Sequence, residues 1–147
     1  MQTVRSLLAV LAGLLVLTFT SFAIEWVADP LLLRMFPQAL PNISALNTNL
    51  YASLFLYSYT ALCVVAGGYV TAWIARRSPV THAIVMGVLQ LALTIWAMEA
   101  VVAHAPLRNW MVGIATVVPA AWLGGLLRSK SAAKLHAAGQ PGEGVRA

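Results

Sequence analysis

Charge is what this chain has least of. Only 9% of its 147 residues are Asp, Glu, Lys or Arg, against about a quarter in an ordinary soluble domain. A water-soluble fold of this length would have too little polar surface to cover its core, so the scarcity excludes that class. Cysteine is nearly absent as well: Cys63 stands alone inside an apolar run, which excludes an intrachain disulfide and any Cys-x-x-Cys metal or redox motif. The three histidines, His82, His104 and His136, do not fill the gap. His82 and His104 would lie about 33 Å apart at opposite ends of one helix, too far to bracket a haem or share a metal. No Ser-His-Asp, Cys-His or His-Glu-x-x-His arrangement occurs, and no Gly-rich phosphate loop follows a strand. The expectation is a chain without cofactor or metal site and without a nameable catalytic nucleophile.

What is abundant is apolar length. Hydrophobic residues make up 61% of the chain, with uncharged runs at 6–24, 50–75, 78–98 and 109–127. Each run suffices to cross a hydrocarbon layer of about 30 Å as a helix of about 20 residues. The runs are continuous, so they do not alternate as a barrel wall would require. The fold class is therefore all-α, a four-helix transmembrane bundle, with spans at about 4–28, 50–75, 79–104 and 109–127. Residues 1–128 form one membrane domain, and 129–147, SKSAAKLHAAGQPGEGVRA, read as a disordered basic tail. Asp29-Pro30 is expected to end the first span, because the residue before proline is pushed out of helical geometry. Between there and Asn49, Pro37 and Pro41 forbid a single helix. This stretch reads as an interfacial segment with leucines in lipid and Arg34 among headgroups. Arg5 and Ser21-Phe22-Ala23 mimic a signal peptide and its cleavage site, but the apolar run exceeds a signal core of 7–15 residues, which favours an uncleaved span.

The few charges carry a topology. With the N-terminus inside, the inner segments hold Arg5, Arg76, Arg77, Arg128, Lys130, Lys134 and Arg146, and the outer ones only Arg34 and Arg108. That positive-inside bias places both termini in the cytoplasm. The basic balance of +5 is accounted for by this distribution, which removes the case for nucleic acid as a partner. Trp26, Trp96 and Trp110 mark outer ends and Trp73 and Trp122 inner ends, as an aromatic belt would.

In lipid, small and polar side chains mark the face that helices bury. On the first span Thr18, Glu25 and Asp29 align, with Ser21 at their edge. The second offers Ser53, Tyr57, Thr60, Gly67 and Thr71, the third Gly87, Gln90, Thr94, Ala97 and His104, and the fourth Asn109, Gly113, Thr116 and Ala120. Gly13, Gly67, Gly68, Gly87, Gly124 and Gly125 share the inner half, so the helices should approach most closely there. The outer half should splay and hold any cavity. Acids within spans are functional candidates by default; Glu25, Asp29 and Glu99, with Gln90, Thr94 and His104, form the candidate path for a cation or proton. Arg76, Arg77, His82, Arg128 and Lys130 form the candidate site for an anionic lipid headgroup, against the simpler reading of a topology anchor.

The string GGYVTAWIARRSPVTHAIVMG at 67–87, followed by PAAWLGG at 119–125, resembles a loose group of uncharacterised small four-span bacterial inner-membrane proteins, built as Gly-Gly-Tyr, basic turn, Pro, His-Ala, Gly. The resemblance covers about 60–128. It implies a bacterial cytoplasmic membrane and the helical hairpin, and brings no activity. Among functions, the leading expectation is a non-enzymatic accessory subunit or self-associating scaffold that meets a membrane-protein partner, or a second copy, through its small-residue faces. The alternative is a small homo-oligomeric transporter or channel for a cation or proton, using the acidic cluster near its outer face.

Overall fold

The computed structural model describes the backbone of residues 2–75, 78–101 and 107–138, and the side chains of 4–75, 78–97 and 110–134. Among the described residues there is no strand. The elements are α1 (Gln2–Met35), α2 (Ile43–Thr48), α3 (Leu50–Ala75), α4 (Pro79–Val101) and α5 (Leu107–Ala138). Stretches in four of them, Val4–Met35, Leu50–Ala75, Pro79–Ala97 and Trp110–Lys134, are long and apolar enough to cross a membrane.

Local chemistry sets the helix ends. Asn42 is extended, and its side chain accepts the Ala45 N–H at 3.0 Å, capping α2 as an N-cap should. Asn49 Oδ1 does the same for α3, accepting from Tyr51 and Ala52 at 3.0 and 3.3 Å. At the other end of α3, the Arg5 guanidinium donates to the Ile74 carbonyl at 3.0 Å, where an unpaired carbonyl and the negative end of the helix dipole attract a cation. Ser78 turns the chain with φ of 46°. Pro79 then opens α4, at the position where a missing N–H costs nothing.

α1 and α4 run one way and α3 and α5 the other, so Arg5, the α3–α4 turn and the C-terminal end of α5 share one end of the bundle, here called the basic end. α3 touches every other element, packing chiefly on α5 and α1, while α4 packs on α5, α3 and α1. Among the described residues α1 and α5 have no substantial contact with each other. The main core joins Val10, Leu17, Val64, Met86, Val117, Ala120 and Ala121. Its contacts toward the basic end are made by glycine. A Cβ on Gly67 would stand 2.7 Å from the Gly13 carbonyl, and one on Gly68 2.5 Å from the Ala121 carbonyl. A Cβ on Gly87 would lie 2.7 Å from Ala121 Cβ, and one on Gly125 2.8 Å from Ala83 Cβ. Gly13 lies against Thr71 Oγ1, and Gly124 against the Val65 carbonyl. All six glycines thus lie in contacts within this one chain, at separations no other residue permits.

Three sequence expectations change. α1 does not stop at Asp29-Pro30; Pro30 lies inside it and the helix reaches Met35. Continuing it places Leu32 and Leu33 against a satellite core of Leu40, Leu46 and Ala52. That burial offsets the one backbone hydrogen bond proline removes, a loss that spanning helices tolerate. The same packing corrects the picture of a segment with all its leucines in lipid: Leu31, Met35 and Phe36 are exposed, whereas Leu32 and Leu33 turn inward. Finally, the stretch assigned to the tail is helical as far as Ala138, with Ser129 and Ser131 bonding carbonyls of their own preceding turn; residues 139–147 lie outside the described residues.

Candidate functional site

Away from the basic end the helices separate around a cavity of about 680 Å³. Leu17, Val64 and Val117, which belong to the main core, also line it. They form its floor, with buried Met86 in the same cluster. α1 contributes Thr18, Ser21, Phe22 and Glu25, and α3 contributes Tyr57, Tyr59 and Thr60. Gln90 and Thr94 come from α4, and Trp110, Gly113 and Thr116 from α5. α2 lies over the opening with Ile43, Ser44 and Asn47. The buried Ser53 hydroxyl lies 2.8–3.2 Å from the carbonyls of Leu46, Asn47 and Asn49 and so ties α2 to the start of α3.

The lining is rich in acceptors. Thr60, Thr94 and Thr116 donate their hydroxyl protons to the carbonyls four residues back, at 2.8, 2.9 and 2.6 Å. Such bonding is common for hydroxyls in spanning helices, and it leaves only lone pairs on those oxygens. Gln90 Nε2 lies 3.4 Å from Thr94 Oγ1. The Glu25 carboxylate has the Tyr59 hydroxyl as its hydrogen-bonding neighbour and Asp29 as its nearest like charge. Glu25 is the one charged side chain among the described residues of the lining, which include no Lys, Arg or His. Two lining atoms are buried without a hydrogen-bond partner among the described residues, Ser21 Oγ and Trp110 Nε1. No group of three or more His, Cys, Asp or Glu among the described residues could hold a metal ion.

The candidate transport residues are therefore divided. Glu25, Gln90 and Thr94 meet in the cavity. Asp29 instead lines an adjoining cleft with Phe22, Trp26 and Pro30, which it shares with Glu25; its Oδ1 has no partner among the described residues. The Glu99 side chain and all of His104 lie outside the described residues.

The candidate lipid cluster is divided too. Arg76 and Arg77 lie outside the described residues. His82 is engaged inside the bundle: Nδ1 donates to the Ser78 carbonyl at 3.0 Å, and Nε2 stands 2.9 Å from Ser6 Oγ on α1. Arg128 is half-buried and Lys130 exposed.

Several lining residues fall outside the candidates read from the sequence. Tyr59 sits off the polar stripe of α3, because α3 is buried against neighbours on several sides. Trp110 carries the signal of an interfacial belt residue, yet it turns into the cavity, unlike the exposed Trp26, Trp73, Trp96 and Trp122. Asn47 and Ser44 reach the site only because α2 folds over it, which no helical period encodes. Compared with protein-family models, with curated proteins and with solved structures, the chain matches none.

Proposed function

We propose that this small polytopic membrane protein binds a cation in the α2-end cavity and works as a carrier for it. The observation that carries the reading is the lining itself: one carboxylate, no basic side chain among the described residues, and threonine oxygens left as acceptors. An ionised carboxylate in low-dielectric surroundings is costly unless a positive charge accompanies it, so the site favours a cation over a neutral or anionic occupant. The core at Leu17, Val64, Met86 and Val117 closes the way to the basic end. That favours a carrier, whose helices must move to release its cargo, over an open channel.

The positive-inside distribution supports a topology with both termini in the cytoplasm, which makes the cavity face outward; a bacterial cytoplasmic membrane follows from the sequence resemblance alone. The accessory-subunit or scaffold reading relied on small-residue faces to recruit a partner. Those glycines are engaged within the bundle, which favours the carrier over that reading. Co-purification of a stoichiometric membrane partner in mild detergent would restore it.

The test is flux in proteoliposomes with protons, Na⁺, K⁺ and organic cations offered in turn. Wild-type protein should support flux of at least one, and Glu25→Gln should reduce it about tenfold or more. Absence of flux in the wild type, or flux indifferent to Glu25→Gln, overturns the proposal.

A further inference from the structure

Resting on that reading, we infer that the cargo is a monovalent organic cation with a bulky apolar body, not an inorganic ion or a proton. Size is the first reason. The cavity of about 680 Å³ falls within the range of roughly 300–1,000 Å³ typical of drug-sized ligands. An inorganic ion is comparable to one water molecule, whose share of liquid volume is about 30 Å³, and would leave most of this space to be filled by water.

Chemistry is the second reason. The floor of Leu17, Val64 and Val117 is apolar, and a water-filled cavity above it would wet surface that an apolar body would cover. Phe22 and Tyr57 add aromatic rings to the wall. Ring faces attract organic ammonium groups, the more so when the pair is desolvated. A metal ion would need several oxygen, nitrogen or sulfur ligands converging at short range. No three His, Cys, Asp or Glu among the described residues form such a group, and a single carboxylate matches a single positive charge.

The polar atoms refine the class. Trp110 Nε1 is buried without a partner among the described residues, and an indole N–H can only donate. Trp110 precedes the floor residue Val117 by seven residues along α5, about 10 Å toward the mouth, so a ligand carrying a hydrogen-bond acceptor near its charged group would satisfy it. Glu25, eight residues beyond the floor residue Leu17 along α1, lies about 12 Å further along the axis. The charge would therefore bind toward the mouth, with the apolar body pointing down to the core. Phe22 and Thr18 of α1 both line the cavity and are exposed on the bundle surface, which gives an amphipathic cation a route in from the bilayer side.

The tetraphenylphosphonium and tetraphenylborate ions make the decisive pair of probes, since they match in size and apolar surface and differ in sign. Titrated calorimetrically into the full-length protein in an uncharged detergent, with empty micelles subtracted, tetraphenylphosphonium should bind saturably and at least about tenfold more tightly than tetraphenylborate. Glu25→Gln should erase most of that difference. Gly113→Leu, which fills the cavity without touching the carboxylate, should weaken both ions, and it keeps the test valid if the Glu25 variant does not fold. Equal affinity for the two ions, or no saturable binding above micelles, overturns the inference. If Na⁺, K⁺ or protons still show Glu25-dependent flux in that case, the cation reading survives and only the organic class fails; if they do not, both fail. An amino-lipid headgroup would offer the same ammonium chemistry as a free solute. Mass spectrometry after extraction from ethanolamine-lipid vesicles separates the two sources: a retained lipid that tetraphenylphosphonium displaces assigns the site to the headgroup, and no retained lipid assigns it to a free cation.

Discussion

The two halves of this bundle are built from the same four long helices and differ in what lies between them. Toward the basic end, Gly13 on α1, Gly67 and Gly68 on α3, Gly87 on α4 and Gly124 and Gly125 on α5 bring the helices close enough for backbone to touch neighbouring side chains and backbone. Toward the α2 end, Tyr57, Tyr59, Phe22 and Trp110 occupy the facing positions, and the helices stand around a cavity. In lipid there is no hydrophobic force to pull helices together, so side-chain volume and close contact decide the spacing. A closed end and a roomy, ligand-sized end can thus follow from residue size alone along otherwise regular helices.

The strongest way to break this comparison is to add one methyl group at the closed end. Gly124→Ala places a Cβ against the Val65 carbonyl and 2.8 Å from the Tyr69 amide nitrogen. Because backbone cannot rotate away as a side chain can, a cost of about 3 kcal/mol or more is expected, at or beyond the upper end for overpacked cores. It should appear as loss of monodisperse protein in detergent or a large drop in Tm, and as faster labelling of the buried Cys63 thiol; an unchanged Tm would show that the close approach is not needed.

A smaller effect should follow at the lid. Ser53→Ala removes the hydroxyl shared among the carbonyls of Leu46, Asn47 and Asn49, at about 1–3 kcal/mol for buried carbonyls left without that donor. Hydrogen exchange should rise in 43–49 and leave the glycine-rich half protected. Equal change in both halves would mean that α2 is not a separable cover.

Relief of backbone strain comes next. Ser78 holds φ at 46°, a left-handed geometry that costs a non-glycine residue roughly 1–2 kcal/mol. Ser78→Gly should raise stability by up to about 1 kcal/mol after the added freedom of the unfolded chain is counted, read as a modest rise in Tm. A fall would show that the Ser78 side chain contributes more than its backbone costs.

The smallest effect sharpens the comparison most. Gly113 is on the same helix as Gly124, yet a Cβ there finds its nearest neighbour, Tyr57 Cε1, only at 3.9 Å. Gly113→Ala should be neutral or stabilising by less than about 1 kcal/mol, through helix propensity alone. A loss comparable to Gly124→Ala would mean that the cavity end is as tightly closed as the basic end.

Much of this was legible in the sequence. Continuous apolar runs gave the four long helices, with α3 at its expected bounds and α4 starting at its expected proline. The depth shared by six glycines pointed to the end where helices meet, and polar residues at helical spacing on α1, α3 and α4 placed Ser21, Glu25, Thr60, Gln90 and Thr94 toward a common interior. What failed did so where a local rule met a tertiary contact. Pro30 signals a helix end, and the packing of Leu32 and Leu33 on Leu40 and Leu46 carries the helix past it. Trp110 signals an interface, and it lines the cavity instead.

Composition and periodicity, then, determined by themselves that this chain is a set of membrane-length helices, because hydrocarbon leaves the backbone no other way to satisfy its own hydrogen bonds. Only the tertiary structure decided that Glu25 and not Asp29 would share a cavity with Gln90 and Thr94, that the glycines would be turned inward, and that α2 would cover the opening. Those outcomes depend on which helix faces which, and that is set by side-chain volumes summed across several elements, a quantity no single stretch of sequence contains.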